Sequence, residues 1–288
     1  MNKTTNLTRV AGLAGAIGLA VSSGTTQASL LLYDGFSYTA ATKVPDTASG
    51  SVLNGGSGGG GTSWASGWFD ASPDSNANGY VITNGGQSYN TLTTAGNALN
   101  RGDDNIGVRR NFTAQANGTY YTSFLFSVGA DPASTYAGVT LGGHAYFGLA
   151  KVGSHSEFVA GNSFAATPVS SGITVQANTT YLLVGKIVFS TTADDTVSLW
   201  VNPTSSKETD AGSANAIYAN DTTLTALDNI QAYQSTANYN MTIDELRLGT
   251  TWADVTPGLP TPEPASLGLV AAGGYLMIRR RSRVAWNG

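Results

Sequence analysis

Hydrophobic and polar positions alternate over short spans along most of the chain, and no stretch repeats at the three- and four-residue spacing of an amphipathic helix. The aromatic-rich residues 120–128 predict a strand, and the apolar run 145–152 predicts another. Residues 181–189 and 196–201 flank a Ser, Thr and Asp stretch at 190–195, which predicts a strand, turn, strand hairpin. A last strand is expected over 241–248. Many short strands separated by turn signals predict an all-β chain folded as a two-sheet sandwich. The glycine-rich residues 54–61 predict a flexible loop inside that domain, with neither a GK[ST] sequence nor a following helix to make it a phosphate cradle.

The pattern changes at both ends. Lys3 and Arg9 precede an apolar stretch over 10–21 and then small residues up to Ala28, which fits a signal peptide over 1–28 with signal peptidase cutting before Ser29. At the other end an apolar run over 265–278 stops at Arg279, Arg280, Arg281 and Arg283. Fourteen helical residues span about 21 Å against a hydrocarbon core of about 30 Å, so the run is a short membrane anchor. The arginines place its end on the cytoplasmic side and all that precedes it outside. Pro262, Glu263 and Pro264 stand directly before the run, and the two prolines hold that segment extended. This ending resembles the PEP-CTERM sorting signal. The resemblance implies an exosortase as partner, processing at 262–264, a membrane-anchored precursor, and delivery to the cell envelope or extracellular matrix. The expected organisation is thus a signal peptide over 1–28, a β-sandwich ectodomain over 29–257 and a sorting signal over 258–288.

Charge and composition narrow the chemistry. With no cysteine among 288 residues, neither a disulfide framework nor a thiolate site is available. Between the two terminal segments eight basic residues face seventeen acidic ones, which excludes nucleic acid as the expected partner. Only His144 and His155 could supply imidazole, too few for a zinc site. The acidic pairs Asp103, Asp104 and Asp194, Asp195 are the candidate calcium ligands, although turns also attract Asp for its backbone hydrogen bonds.

Residues 32–36 (LYDGF), 197–203 (VSLWVNP), 243–250 (IDELRLGT) and 252–255 (WADV) are similar to stretches of the concanavalin A-like, LamG-type jelly roll. That resemblance implies a jelly-roll sandwich whose first and last strands pair. Glycosidases on such folds place two carboxylates beside one bond. Here the domain offers only Glu157, Glu208 and Glu245, no ExDxxE pattern, and an Asp244-Glu245 pair expected to point to opposite faces of its strand. Trp64, Trp68 and Tyr80, in Gly-, Ser- and Asn-rich surroundings, are candidate sugar-stacking residues, with closure of the sandwich end as the other role for the tryptophans. Trp200 and Trp252 are expected in the core. The expectation is therefore a non-enzymatic structural or adhesive protein with polysaccharide contacts, and the alternative is a polysaccharide-active glycosidase or lyase.

Overall fold

The structure is a computed structural model that describes residues 30–44, 64–71, 80–90, 92, 94, 96–101, 107–129, 136–162, 168–221, 224–235 and 240–260. The signal peptide expected over 1–28, the loop 54–61, Asp103 and Asp104, and the sorting signal with Pro262, Glu263, Pro264, Arg279, Arg280, Arg281 and Arg283 lie outside these residues. Among the described residues no helix is long and apolar enough to cross a membrane.

The strands run in chain order β1 (Leu30–Asp34), β2 (Phe69–Asp70), β3 (Tyr80–Ile82), β4 (Leu99–Arg101), β5 (Gly107–Gln115), β6 (Gly118–Ser127), β7 (Ala137–Leu141) and β8 (Ala145–Val152). They continue as β9 (His155–Asn162), β10 (Val169–Thr174), β11 (Tyr181–Phe189), β12 (Asp195–Val201), β13 (Ala216–Asp221), β14 (Leu227–Gln234) and β15 (Thr242–Gly249), and a single helical turn, α1 (Trp252–Val255), follows. The strands form two antiparallel sheets, the all-β sandwich that the pattern predicts. One sheet has eight strands, in the order β13-β12-β11-β6-β15-β4-β3 with β1 also on β15; the other has seven, in the order β10-β9-β8-β7-β14-β5-β2. The expected hairpin is β11–β12, with Leu183 opposite Val201 and Val188 opposite Thr196. The first and last strands pair, Asp34 facing Leu246, as the jelly-roll resemblance implies.

Alternation builds the core. Phe124 and Phe126 of β6, Phe147 and Leu149 of β8, and Ile243, Leu246 and Leu248 of β15 all point between the sheets and are fully buried. Each such side chain contributes about 1.5–3 kcal/mol by leaving water. Gly185, in the middle of β11, lies where a Cβ would collide with the Phe147 ring of the opposite sheet, so the absence of a side chain sets how closely the sheets approach there. On the outer face of the eight-stranded sheet a second apolar layer contains Tyr121, Leu125, Trp200 and Trp252, with the two indoles at 5.0 Å between centroids. Trp200 and Trp252 thus pack outside the sheet rather than between the sheets, beneath α1, whose first turn is closed by a Thr251–Asp254 capping box.

The largest polar feature of the interior joins the sheets. Asp34 Oδ2 accepts hydrogen bonds from Trp68 Nε1 and the Tyr38 hydroxyl at 2.8 Å each and from the Arg110 guanidinium at 2.5 Å. Asp34 and Arg110 are 1% and 2% exposed, so neither charge has water in place of the other. Arg110 also lies 4.0 Å over the Trp64 ring, an attraction worth about 2 kcal/mol when water is absent.

Candidate functional site

Two of the three residues expected to stack on sugar do not present rings to solvent. Trp68 and Tyr80 are 1% and 2% exposed core residues, whereas Trp64 is half-buried, edge-on against Phe112 and stacked on the Arg110 guanidinium. Their polar tips are what the loop reading could not anticipate: Trp68 donates to Asp34, and Trp64 donates to the Tyr33 carbonyl at 3.4 Å. Of the calcium candidates described, Asp195 turns inward to accept from the Ser190 amide at 2.6 Å, while Asp194 is exposed in the β11–β12 turn. Among the described residues no cluster of three or more carboxylate or imidazole groups that could hold a metal ion occurs. His144 faces Asn162 at 3.3 Å, and His155 lies 2.7 Å from Glu157. Glu157 is held below the usual carboxylate range by a hydrogen bond from Ser170 and, second, by His155.

The expected divergence of Asp244 and Glu245 is corrected by a β-bulge. Asp244 pairs with Leu125 and Arg247 with Ser123, so β15 carries one residue more than β6 over this span. Ile243 and Leu246 both stay in the core, and the extra residue, Glu245, adopts φ 53°. Its carboxylate therefore turns to the outer face, where it meets Arg247 at 2.5 Å and the Tyr33 hydroxyl at 3.1 Å. Glu245 is consumed by these partners. Asp244 lies under the loop after β3, its two oxygens accepting from the Glu245 and Gln87 amides. Desolvation pushes its pKa up to about 7, the two amides opposing that rise and the Glu245 charge adding to it.

This shift predicts a pH dependence of stability. A carboxyl raised from 3.8 to about 7 on folding holds its proton in the native state where the unfolded chain has lost it. The native chain therefore loses stability relative to an Asp244→Asn chain as pH rises from about 4 to about 7, by up to about 4 kcal/mol, with no further change above that window. Urea midpoints of both chains across this range check it, and a constant difference contradicts the shift.

A different patch gathers polar groups that no local motif announces. On the outer face of the seven-stranded sheet, Gln231 of β14 stands directly between Arg109 of β5 and Thr140 of β7. One step along, Asn229 faces Asn111. One step the other way, Tyr233 stands between Gly107 and Gly138. Val108, Val139, Ile230 and Ala232 alternate with these residues and fill the core, which fixes the polar set on the outside. Gly138 faces Gly148 on β8 so closely that a Cβ on the first would sit 2.6 Å from the Cα of the second. The Tyr146 side chain lies across the pair, its ring 3.0 Å from where a Gly138 Cβ would sit and its hydroxyl 2.7 Å from where a Gly148 Cβ would sit, so the glycines make room for that tyrosine.

Three polar atoms of this patch are buried without a hydrogen-bond partner: Arg109 Nε, Thr140 Oγ1 and Asn229 Oδ1. Arg109 reaches Gln231 Oε1 only at 3.4 Å, and Asn229 donates to Asp228 at 2.7 Å. A donor and two acceptors left open within one patch are what a polar ligand completes. None of Arg109, Thr140, Gln231 or Tyr233 was selected by sequence reasoning. The available signal was polar residues at the outward positions of strands whose inward positions are Val, Ile and Ala.

The carboxylates of this sheet's strands are Asp70, Glu157 and Asp228. Asp70 is paired with Val108 and is 4% exposed, facing inward. Asp228 on β14 and Glu157 on β9 are three strand positions apart, about 14 Å at about 4.8 Å per strand. The acid and nucleophile or base of a glycosidase need about 5 to 10 Å, so among the described residues the strands of this sheet do not assemble a hydrolase pair.

No protein-family model matches the chain, and no curated protein matches it. Among solved structures it is similar to an endo-β-1,4-glucuronan lyase from the fungus Trichoderma reesei, at 12% identity and TM-score 0.43 over 77% of this chain and 100% of that one. It is also similar to the alginate lyase Aly36B, at 11% identity and TM-score 0.40 over 60% and 84% of the two chains. Domain 4 of AbnA, a GH43 extracellular arabinanase from Geobacillus stearothermophilus, in complex with arabinotriose, matches at 12% identity and TM-score 0.41 over 81% and 99%. The expectation of a non-enzymatic structural or adhesive protein is not what these matches favour, since they are lyases and a domain of a glycoside hydrolase, although by themselves they say nothing of what this chain does. At such identities the likeness is one of sandwich architecture, and the chemistry rests on the residues of this chain.

Proposed function

We propose that the chain is a polysaccharide-active enzyme that cleaves a uronate-containing chain by β-elimination on the outer face of the seven-stranded sheet. The observation that carries this reading is the row Arg109, Gln231, Thr140, with Asn111, Asn229 and Tyr233 one step to either side. Elimination needs the uronate carboxylate neutralised, so that the proton at C5 becomes acidic, and a group to take that proton. Arg109 supplies the positive charge and the Gln231 amide N–H bonds a carboxylate oxygen as negative charge builds there, while Asn229 Oδ1, its amide N–H already given to Asp228, accepts from a sugar hydroxyl. Tyr233 is the proton acceptor. The Tyr233 oxygen takes the C5 proton as its own hydroxyl proton passes to the departing glycosidic oxygen, the C5–H electron pair becomes the C4–C5 double bond, and the bond from C4 to that oxygen breaks.

The separation of Asp228 from Glu157 favours elimination over hydrolysis for the same face. Incubation with polyglucuronate, alginate and polygalacturonate, with xylan as the neutral control, tests the proposal. Growth of the ultraviolet absorbance of an unsaturated uronosyl end on a polyuronate is the expected result. Reducing ends released from xylan alone, with no such absorbance, would overturn it.

The terminal segments support an extracellular setting for this activity, with exosortase handling of the 262–264 segment. Mass spectrometry of the protein from its native envelope fraction is expected to find a C-terminal peptide ending near Pro262–Pro264. An intact end at Gly288 counts against processing.

A further inference from the structure

The opposite face of the sandwich carries a second polar row. On the outside of the eight-stranded sheet, Thr242 of β15 stands directly between Ser127 of β6 and Asn100 of β4. Phe126, Ile243 and Leu99 beside them point into the core, which fixes the row outward. Asn100 Nδ2 donates to Thr242 Oγ1 at 2.7 Å, and Gln87 Nε2 donates to Ser127 Oγ. Together with the loop after β3 and the turns entering β11 and β15, this row lines an open cleft of about 700 Å³.

The chemistry of the lining is uniform. Among the described residues it consists of side-chain amides, hydroxyls, glycines and one valine, with no charged side chain or aromatic ring. Gln87 Oε1 is buried there without a hydrogen-bond partner. The Asp244 carboxyl lies behind Gln87 with both oxygens engaged by amides.

We propose that this cleft is a separate binding site for a neutral glycan chain, on the face of the sandwich opposite to the one with Arg109. Adjacent hydroxyls of a sugar ring each donate and accept, which matches amides and hydroxyls placed side by side. A uronate would bring a charge that no cation in the lining meets, and desolvating it unpaired is costly. With no ring for stacking among the described lining residues, the affinity is that of hydrogen bonds exchanged against water, near a Kd of about 1 mM. The site rests on its own lining and not on the proposed elimination, so either can fail alone.

Saturation-transfer NMR of the full chain with neutral hexamers of glucose and of xylose, and with a glucuronate hexamer, tests it. Transfer to a neutral hexamer is expected, and it persists in Arg109→Ala, where any signal from the glucuronate hexamer falls. Ser88→Trp, an exposed loop position at the cleft, and Gln87→Ala are each expected to weaken the neutral hexamer at least tenfold. Circular dichroism of both variants separates loss of binding from loss of fold. No transfer to either neutral hexamer, or transfer unchanged in folded Ser88→Trp, overturns the proposal.

Discussion

Arg109→Ala is expected to lower kcat/KM on a polyuronate by about a hundred- to a thousandfold, the usual loss when one preorganised stabiliser of developing charge is removed. The effect belongs mainly to kcat, because the carboxylate gains charge as the C5 proton leaves. Arg109→Lys restores the charge without the planar fork, so partial recovery is expected. Tyr233→Phe keeps the ring beside Gly107 and Gly138 and removes only the hydroxyl, with an expected loss of about a hundred- to ten-thousandfold. Initial rates from the ultraviolet absorbance check all three. Binding lost with kcat unchanged would make these residues a docking surface for the polymer instead.

Asp34→Ala is expected to produce the largest loss of stability. Removal of this carboxylate leaves the Arg110 guanidinium buried at 2% exposure with its ion-pair partner gone, at a cost of about 3–5 kcal/mol. It also strands the Trp68 indole N–H, which donates to the same oxygen. For a domain of this size the melting temperature falls by about 6 to 20 °C. The double change Asp34→Leu with Arg110→Met removes both charges together and is expected to recover most of the loss, because nothing ionic then remains unpaired. Differential scanning calorimetry on the three chains checks this. Equal losses in the single and double variants would mean that packing, not the buried charge, sets the cost.

The cation removed in Arg109→Ala and the cation left unpaired in Asp34→Ala are neighbours on one strand. Arg109 and Arg110 differ by one position in β5, and pleating sends the first to the outer face and the second between the sheets. One becomes an open cation and the other a staple. Nothing in the dipeptide distinguishes them; Val108 and Phe112, both core residues, do so by fixing the register.

The strands themselves were legible because alternation and turn residues are local. Ala145–Val152 matches its expected limits, and β6, β11, β12 and β15 lie within a residue or two of theirs. The bulges were not legible. At Asp244 and Glu245, and again between Leu227 and Asn229, the register shift is set against the neighbouring strand, and it reverses which side chains share a face. The aromatic candidates misled for a related reason. Trp68 and Tyr80 stand among Gly, Ser and Asn residues and read as exposed, yet their strands or loops turn the rings inward to a carboxylate or a guanidinium.

By itself the sequence determined the all-β class, five of the fifteen described strands and the hairpin turn, since each depends on residues close in the chain. It also carried the reading of an exported protein with a sorted tail, which depends on ordered short motifs. Tertiary structure alone decided where polar groups meet. Residues 109, 140 and 231 come together because antiparallel pairing places β5, β14 and β7 side by side, and residues 100, 127 and 242 because β4, β15 and β6 do the same. Each of those side chains is ordinary in its own strand, and only the register that buries the apolar residues between them makes a site.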